Sequence, residues 1–292
     1  RDVVTTDQED NRRDWTWVSA GMSHTCGLAS GDILCWGLNY DGRGTPPSLP
    51  LLEDLNETTQ ALSWRQVGVG VAHTCGETSS GVIRCWGNNL NQQDQVPTQS
   101  GGETIYDWRY WDTGGFHTCG IRTEGTLLCW GGNNMRQSTV PSLNPNEDVW
   151  TTVSAGHDNT CAISSTGSLH CWGSVLTAIS LTPNLDDPNT WWSVSVGRFH
   201  SCGLHGAGEL TCWGGDHHGQ ASPPEEAPTE GWLWVESGGH HTCAYHDSDQ
   251  IWCWGRDDHG ETSMPPQWQF RTPLMRDNCL QISNPEQIDS DE

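Results

Sequence analysis

Cysteine and histidine are the residues of this chain with the most regular spacing, and both types can bind metal or form covalent links. Six stretches each contain a first cysteine, a second cysteine nine or ten residues later, and Trp-Gly directly after the second cysteine. In five of these stretches a histidine precedes the first cysteine by two residues, at His24, His73, His117, His200 and His241. Two chemistries use such residues, structural zinc binding and disulfide formation.

Disulfide bonds fit this spacing better than zinc does. Structural zinc sites usually offer four ligands and Cys-x-x-Cys spacing, whereas each stretch here holds two cysteines and at most one histidine. Residues opposed across an antiparallel hairpin have Cα atoms roughly 4.5 to 5.5 Å apart, which a disulfide can bridge. We therefore predict no metal, no cofactor, and a structural hydrogen bond inside its own repeat for each histidine. The predicted disulfides are Cys26 to Cys35, Cys75 to Cys85, Cys119 to Cys129, Cys161 to Cys171, Cys202 to Cys212 and Cys243 to Cys253.

The cysteines belong to a longer repeat. Each copy opens with a tryptophan 11 positions before its first cysteine, and a glycine follows that tryptophan by six positions. First cysteines recur after 49, 44, 42, 41 and 41 residues, the length of a four-stranded propeller blade rather than of a helical pair of about 34 residues. Gly and Pro interrupt every stretch, which disfavours helices. We predict an all-β propeller with six complete repeats.

The residues between the paired cysteines predict the turn that joins their strands. Pairing Cys75 with Cys85 leaves a three-residue loop that ends at Gly81, and the last residue of such a loop adopts a positive φ. Later copies place Gly125, Gly167, Gly208 and Asp249 there. Apolar residues beside the cysteines, and the oppositely directed tryptophan of Cys-Trp-Gly, predict sheets that are apolar on both faces and packed between two neighbours.

The charge of the chain restricts its partners. The formal net charge is −24, from 37 acidic and 13 basic residues, and every basic residue is an arginine. This balance repels phosphate backbones and anionic membranes, so we predict no nucleic-acid partner. No apolar run approaches the roughly 20 residues of a membrane span. Acidic pairs such as Asp257-Asp258 lack a calcium-loop pattern and are predicted to be solvated loops.

The cysteines and one glycosylation motif predict an extracellular location. A framework of one cysteine pair per repeat persists only in oxidising surroundings. Asn56-Glu57-Thr58 is an N-glycosylation acceptor in a long connection after the first repeat, as expected of a surface loop. The sequence begins at Arg1 without an apolar leader, so we expect that any signal peptide was removed or left out. We predict a secreted or cell-surface glycoprotein.

The repeat resembles a known family. Gly-x-x-His-Thr-Cys, then Gly-x-Leu, then Cys-Trp-Gly-x-Asn with a later Gly-Gln is similar to the regulator of chromosome condensation repeat in its cysteine-bearing extracellular form. The resemblance covers residues 15–267. It implies a seven-bladed propeller, and its extracellular relatives include receptor ectodomains and secreted inhibitors that bind other proteins through loops at one propeller face. None of their binding residues has a matching motif here.

A seventh unit begins but is not completed. Trp268 lies 11 positions before Cys279, the interval of the six full copies, but the rest of the pattern is missing. We divide the chain into residues 1–14, six blades over 15–267, and a partial seventh blade and tail over 268–292. Residues 1–14 can close the ring or pair with a neighbouring molecule. Cys279 is predicted to be free or intermolecular. The alternatives are a six-bladed ring with an irregular tail, or a fragment of a longer chain.

The fourth repeat departs from the others after its Cys-Trp-Gly. Its siblings carry polar loops there, whereas residues 174–181 read Ser-Val-Leu-Thr-Ala-Ile-Ser-Leu. Exposed apolar loop residues suggest a contact surface. The candidate interface residues are Val175, Leu176, Ile179 and Leu181, with Trp268 from the partial blade. A segment packed inward is the alternative.

The sequence favours a binding or structural role over catalysis. It contains no Gly-x-Ser-x-Gly or His-Glu-x-x-His motif, and it has no lysine for P-loop or Schiff-base chemistry. We predict a non-catalytic protein-interaction subunit of an extracellular filament, coat or cell-surface structure, with other subunits, including copies of itself, as partners. The first alternative is a monomeric module that recognises a protein or glycan. The second is a polysaccharide-active enzyme using His218 or His259.

Overall fold

The computed structural model of the chain describes residues 15–49, 51–53, 59–143, 148–174, 179, 181–183, 190–258 and 260–263. All regular secondary structure in these ranges is β. These ranges contain no helix long and apolar enough to cross a bilayer. Six three-stranded antiparallel sheets follow one another along the chain, and we number them blades 1 to 6.

The blades have the following strands. Blade 1 is β1 Trp15–Ala20, β2 His24–Ala29 and β3 Asp32–Gly37, and a short hairpin, β4 Leu51–Glu53 and β5 Thr59–Ala61, follows it. Blade 2 is β6 Trp64–Val69, β7 His73–Thr78 and β8 Ile83–Gly87; blade 3 is β9 Trp108–Thr113, β10 His117–Arg122 and β11 Leu127–Gly131. Blade 4 is β12 Trp150–Ala155, β13 Asn159–Ser164 and β14 Leu169–Gly173; blade 5 is β15 Trp191–Val196, β16 His200–His205 and β17 Glu209–Gly214; blade 6 is β18 Trp232–Ser237, β19 His241–His246 and β20 Gln250–Gly255.

The predicted disulfide pairs and turns are confirmed. In blade 3, Cys119 lies directly opposite Cys129 across the β10–β11 ladder, and the equivalent pair is opposed in every blade. A disulfide joins each of the six pairs. The turn residue has a positive φ of 82° at Gly81 and 63° at Asp249. The short hairpin of blade 1 closes through Ser30 and Gly31, which both have positive φ.

Each of the six blade sheets has three strands, although the repeat length suggests four. The segment after the third strand makes turns held by side chains instead of a ladder, as at Asn133, whose Oδ1 accepts a hydrogen bond from the Ser138 amide at 3.0 Å. Val96 and Val140, farther along such segments, still pack against the apolar clusters beside blades 2 and 3. The fourth segment therefore contributes apolar contacts without pairing.

The hydrophobic core lies between neighbouring blades. A typical cluster joins Leu28 and Ile33 of blade 1 to Trp64, Val67 and Val69 of blade 2, with the disulfide beside them. Similar clusters fill the other blade junctions. Burying a side chain of this size contributes roughly 1.5 to 3 kcal/mol. One blade cannot build this core alone, so the array is stabilised by stacking.

The first strands of the blades surround a common centre. Asp112 of blade 3 and Glu236 of blade 6 interact electrostatically, although they are three blades apart along the chain. At one end of this centre the repeat glycines contact each other: a Cβ on Gly114 would lie 2.4 Å from the carbonyl oxygen of Gly156. The same approach joins Gly21 to Gly70, Gly70 to Gly114, Gly156 to Gly197, and Gly197 to Gly238. The glycine six residues after each tryptophan is therefore required by backbone packing between blades.

Substituting a glycine of this ring should destabilise the propeller. We expect Gly114→Ala to lower the free energy of unfolding by about 2 kcal/mol or more, because the new methyl group has no space against the next blade. Gly239→Ala is the matched control, since nothing lies within 4 Å of its Cβ position, and its effect should stay within about 0.5 kcal/mol. Urea denaturation followed by tryptophan fluorescence measures both. Equal losses from the two variants would contradict the packing argument.

The junction between blades 2 and 3 uses a polar pair where its siblings are apolar. Glu77 occupies the place of Leu28, Ile121, Ile163 and Leu204 in other blades and is buried. Trp111 replaces the valine that faces this position elsewhere, and its Nε1 donates a hydrogen bond of 2.9 Å to Glu77 Oε2. Burial raises the pKa of Glu77 against the opposing effects of this bond and of Arg65. A Cβ on Gly68 would lie 2.8 Å from the Trp111 ring, so the glycine accommodates the tryptophan.

Glu77 and Trp111 should be energetically coupled. We expect Trp111→Val alone to cost about 3 kcal/mol or more, because it leaves a cavity and a buried carboxyl without its donor. The double variant Glu77→Leu with Trp111→Val restores the apolar pair of the other junctions and should cost about 1 to 2 kcal/mol less than the single change. A double-mutant cycle in urea measures the coupling. Additive effects of the two substitutions would show that the pair is not coupled.

Candidate interaction surfaces

A repeated polar network links each blade to the next. Between blades 3 and 4, the Gln137 carbonyl accepts hydrogen bonds from Thr160 Oγ1 at 2.8 Å and Trp172 Nε1 at 2.9 Å. His117 Nε2 of blade 3 lies 2.7 Å from the same Thr160 hydroxyl. The network recurs between blades 1 and 2 through the Arg43 carbonyl, and between blades 5 and 6 through the Gln220 carbonyl.

The repeat histidines bridge two blades, so the predicted hydrogen bond inside one repeat is wrong. His24 binds Thr74, His73 binds Thr118 and His200 binds Thr242, each in the following blade. Because the Thr160 hydroxyl donates to a carbonyl, its oxygen accepts from His117, which places the imidazole proton on Nε2. Among the described residues, no group of three His, Cys, Asp or Glu side chains could hold a metal ion.

Burial keeps these histidines neutral. Desolvation lowers the pKa of His73 to about 4 and that of His117 to about 3. It also lowers the pKa of His24 and His200 to about 4. Protonation would put an uncompensated charge between two blades, next to a hydroxyl that already receives the imidazole proton. The four histidines therefore make the stability of the blade junctions depend on pH.

The junction histidines should stabilise the propeller less as the pH falls from about 6.5 towards 4. The unfolded chain binds protons at its histidines over this interval while the folded junctions do not, so protons favour unfolding. Blade 4 carries Asn159 at the histidine position, which makes His117→Asn the natural test variant. The stability difference between wild type and His117→Asn should shrink as the pH falls, by up to about 1.4 kcal/mol per pH unit. Urea titrations at several pH values measure this difference, with the exposed His217→Asn as control. A difference independent of pH would contradict the assignment.

Ile179 of the fourth loop is integrated into the junction between blades 4 and 5. Ile179 is fully buried and packs with Ile163, Trp191 and Val194, and its carbonyl accepts a 2.9 Å hydrogen bond from Trp213 Nε1. Ile179 therefore does not form an exposed contact surface, which corrects that prediction in favour of the inward-packed alternative. Leu181 is exposed. Val175 and Leu176 lie outside the described residues.

Blade 1 exposes the surface that its siblings bury. Trp15 and Trp36 are 45% and 51% exposed, whereas their equivalents in blade 4, Trp150 and Trp172, are 5% and 9% exposed. Val18 is 58% exposed, while the equivalent valines of blades 2, 4, 5 and 6 are buried. Of the 15 exposed large apolar side chains in the described residues, seven lie between Trp15 and Tyr40. We call Trp15, Trp17, Val18 and Trp36 the first-blade face.

Blade 6 presents the complementary half of a blade junction. At other junctions a side chain accepts the amide proton of the next first strand, as Ser195 Oγ does from Ser237 N at 2.8 Å. Glu236 stands at the same position in blade 6, exposed on the side that no described blade covers, and desolvation together with the charge of Asp112 raises its pKa. His241 occupies the position of the bridging histidines and meets no threonine of a following blade among the described residues. Within the described residues, blades 1 and 6 thus present the two halves of a blade junction.

The loops form a second candidate surface. In every blade the loop after the first strand binds the residue that follows the third strand, as in the 2.7 Å hydrogen bond from Gly215 N to the Phe199 carbonyl. We call the end of the propeller that carries these loops the loop end, and the opposite end, with the disulfide hairpins, the hairpin end. A ring row crosses the loop end of blades 5 and 6: Arg198 lies 4.9 Å from the Phe199 ring, His240 stacks on Phe199 at 4.6 Å, and His218 is 4.9 Å from His240. Tyr40 and Leu90 are exposed at the loop tips of blades 1 and 2.

Several residues singled out from the sequence lie outside the described residues. These are Asn56, His259, Trp268 and Cys279, together with the segments 1–14 and 268–292. His218 is described and exposed, next to His240. The nearby Asp216 carboxylate accepts hydrogen bonds from Ala221 N and Ser222 Oγ, so it holds its own loop. The first-blade face was missed from the sequence because Trp15, Val18 and Trp36 match buried or half-buried residues of the other blades.

Comparison with known families identifies the repeat. Residues 112–137, 150–174, 193–220 and 235–261 match the model of the regulator of chromosome condensation (RCC1) repeat. These four matches fall on blades 3 to 6. A search of curated proteins finds no significant match to the chain.

Solved structures with the same fold include plant ectodomains and a yeast protein. The CRINKLY WD40 ectodomain of the Arabidopsis thaliana receptor kinase ACR4 is 24% identical, with a TM-score of 0.59 over 82% of this chain and 85% of that one. The ectodomain of the Physcomitrella patens receptor kinase CR4 is 23% identical, with a TM-score of 0.58 over 84% of this chain and 62% of that one. Prp20p of Saccharomyces cerevisiae, studied with its binding to Gsp1p and histones, is 16% identical, with a TM-score of 0.61 over 82% of this chain and 71% of that one. At these identities the similarity concerns the fold.

Proposed function

Because this chain carries RCC1-type repeats folded as a disulfide-linked β-propeller, we propose that it is a non-catalytic extracellular protein-interaction module. We further propose that the first-blade face joins it to other protein subunits, including copies of itself, in an extracellular filament, coat or cell-surface structure. The exposed first-blade face is the observation that carries this proposal.

Two features support an extracellular location. Six disulfides, one in each blade, require an oxidising compartment to form and persist. Two structures with the same fold are ectodomains of receptor kinases. Asn56 is the proposed glycosylation site of the secreted or cell-surface protein.

The chemistry of the first-blade face favours a protein partner. Trp15 and Trp36 pack against each other, with ring centroids 6.1 Å apart, and leave their outer surfaces to solvent. Aromatic residues are enriched in the buried centres of protein interfaces. Trp36 Nε1 and the Thr25 hydroxyl are equivalent to the groups that, in blades 2, 4 and 6, donate hydrogen bonds to a carbonyl of the preceding blade. A partner that supplies an apolar sheet surface and one carbonyl would complete this junction.

Two sources of this partner surface are compatible with the sequence. Residues 268–292, helped by residues 1–14, can supply a seventh blade from the same chain, or a strand of a neighbouring subunit can do so. The second source makes the contact heterologous, so that successive subunits build an open assembly. Cys279 would then be available for an intermolecular disulfide.

A monomeric recognition module is the second candidate function. Tyr40 and Leu90 are exposed at adjacent loop tips, and the ring row adds Phe199 and His240 on the same end of the propeller. Such a surface is suited to a protein or a glycan, because it offers apolar area beside hydrogen-bonding groups. A polysaccharide-active enzyme is less well supported, since His218 contacts a second histidine ring and the Asp216 carboxylate is used within its loop.

The assembly proposal is tested by making the first-blade face polar. Light scattering and analytical ultracentrifugation of the full chain should show multimers, and Trp17→Gln with Val18→Gln should return the protein to a monomer with an unchanged Tm. Trp234→Gln is the matched control, because Trp234 holds the same strand position in blade 6 and is also exposed. It should leave the multimers intact.

Hydrogen exchange on β1 distinguishes the remaining outcomes. If the wild type is monomeric and the amides of β1 are protected, the first-blade face is covered by the chain itself and the recognition module replaces the assembly. Multimers that persist in the Trp17 and Val18 variant would place the contact elsewhere. Reducing agent, applied in parallel, reports whether an intermolecular disulfide contributes.

A further inference from the structure

Charge is distributed unequally between the two ends of the propeller. At the hairpin end, where Arg65 pairs with the buried Glu77, eight further described carboxylates stand in or beside the hairpins and strand starts, together with Arg109, Arg122, His205 and His246. These carboxylates are Asp32, Asp107, Glu124, Asp148, Glu209, Glu230, Asp247 and Asp249. Asp148 is held ionised there: its pKa is lowered to about 2, because hydrogen bonds from Ser165, Ser164 and Thr166 outweigh the effect of burial.

The loop end carries cationic and titratable groups instead. Four of the eight described arginines are on its loops, namely Arg43, Arg136, Arg198 and Arg256. Four exposed or half-buried histidines accompany them, namely His157, His217, His218 and His240. The ring row holds Arg198 and His240 against Phe199, so part of this charge is held in place before any partner arrives.

The acidic groups of the loop end reduce its charge without cancelling the asymmetry. They are Asp41, Asp94, Asp158, Asp216, Asp257, Asp258 and Glu261. Asp41 pairs with Arg43, Asp258 with Arg256, and Asp158 lies 2.7 Å from His157 Nδ1. Counting these seven carboxylates against four arginines, the loop end has a formal charge of −3 with neutral histidines and +1 with all four protonated, and burial lowers the pKa of one of the four, His240. The hairpin end has a formal charge of −6, from eight carboxylates and two arginines, with His205 and His246 neutral and −4 with both protonated.

We propose that copies of this chain stack end to end, with the loop end of one molecule against the hairpin end of the next, and that mildly acidic conditions strengthen this contact. The two ends lie at opposite ends of the same central axis, so the contact is heterologous and repeats without closing. Complementary charge steers and orients such contacts, and salt weakens them. This stacking proposal rests on the proposed role in an assembly, but the contact uses a surface separate from the first-blade face.

The occupant is a second copy because the chain itself supplies both charged surfaces. Asp247 and Glu124 at the hairpin end are 60% and 46% exposed, so their carboxylates can reach an incoming arginine. Arg198 is exposed and forms no ion pair with a described carboxylate within 4.0 Å, although its charge acts on nearby Asp158. Guanidinium and carboxylate groups pair in a bidentate geometry when both are accessible.

A reciprocal charge reversal tests the stacking. One variant carries Arg198→Glu with Arg256→Glu at the loop end, and the other carries Glu230→Arg with Asp247→Arg at the hairpin end. Ultracentrifugation and small-angle scattering at pH 5.5 and low salt should show rods for the wild type, monomers for each variant alone, and rods again for their mixture. The wild-type rods should dissociate at pH 7.5 or in 1 M salt. At pH 5.5 we expect each variant alone to associate at least tenfold more weakly than the wild type.

A matched control separates the contact from net charge. Arg84→Glu, beside the disulfide residue Cys85 on β8, gives the same change in net charge as Arg198→Glu alone. The Arg84→Glu variant should stack like the wild type, whereas Arg198→Glu alone should weaken the rods. The proposal is overturned if this control also loses the rods, if the wild type is monomeric at pH 5.5, or if the mixed variants fail to reassociate. Binding of the wild type to polygalacturonate without rod formation would instead assign the loop end to an acidic glycan. Multimers formed through the first-blade face depend on apolar contact and persist in 1 M salt, so the two proposals fail separately.

Discussion

The whole structure depends on one constraint: a blade cannot satisfy its own polar groups or cover its own apolar face. At the junctions with the complete network, the threonine and the Cys-Trp-Gly tryptophan of one blade need a carbonyl from the preceding blade, and the histidine of that preceding blade needs the threonine hydroxyl. At the centre the repeat glycines let successive backbones approach closely enough for these bonds to form. Because buried polar groups without partners are costly, each junction forms as a unit. The disulfides fix the register inside each blade, where the hairpin already favours it.

Much of this architecture could be predicted from the sequence, because the repeated residues reveal local geometry. Cysteine spacing and turn glycines specify a hairpin, and six copies of it specify an array. The partners of His117 and Trp172 could not be predicted in the same way, since they lie in another blade and no spacing within one repeat refers to them. The number of strands was misjudged for a related reason: segments such as the one holding Val140 satisfy their backbone in side-chain turns and still bury apolar groups.

Departures from the repeat carry information that the repeat itself does not. Glu77 and Trp111 differ from their siblings together, because a carboxyl in an apolar junction needs a donor and the larger ring needs the space that Gly68 leaves. The fourth loop behaves in the same way: Asn159 and Ser201 replace the bridging histidine and threonine at the junction where Ile179 replaces the usual loop. Neither compensation can be predicted from hydropathy alone, because an apolar residue has the same hydropathy whether it is exposed or packed inward.

A linear array of equivalent junctions always ends in two unlike surfaces. Those surfaces determine which strands or partner proteins can bind at the ends of the array. Blade 1 ends the array with apolar rings, whereas blade 6 ends it with Glu236, whose raised pKa marks a carboxyl placed where the other blades bind an amide. A raised carboxyl pKa means that folding favours the protonated form, so this group opposes the junction histidines in its response to pH. Covering blade 6 with a strand that supplies an amide proton would stabilise the carboxylate and remove part of this opposition. Completion of the ring, whether by the same chain or by another, is therefore linked to proton binding at the centre of the propeller.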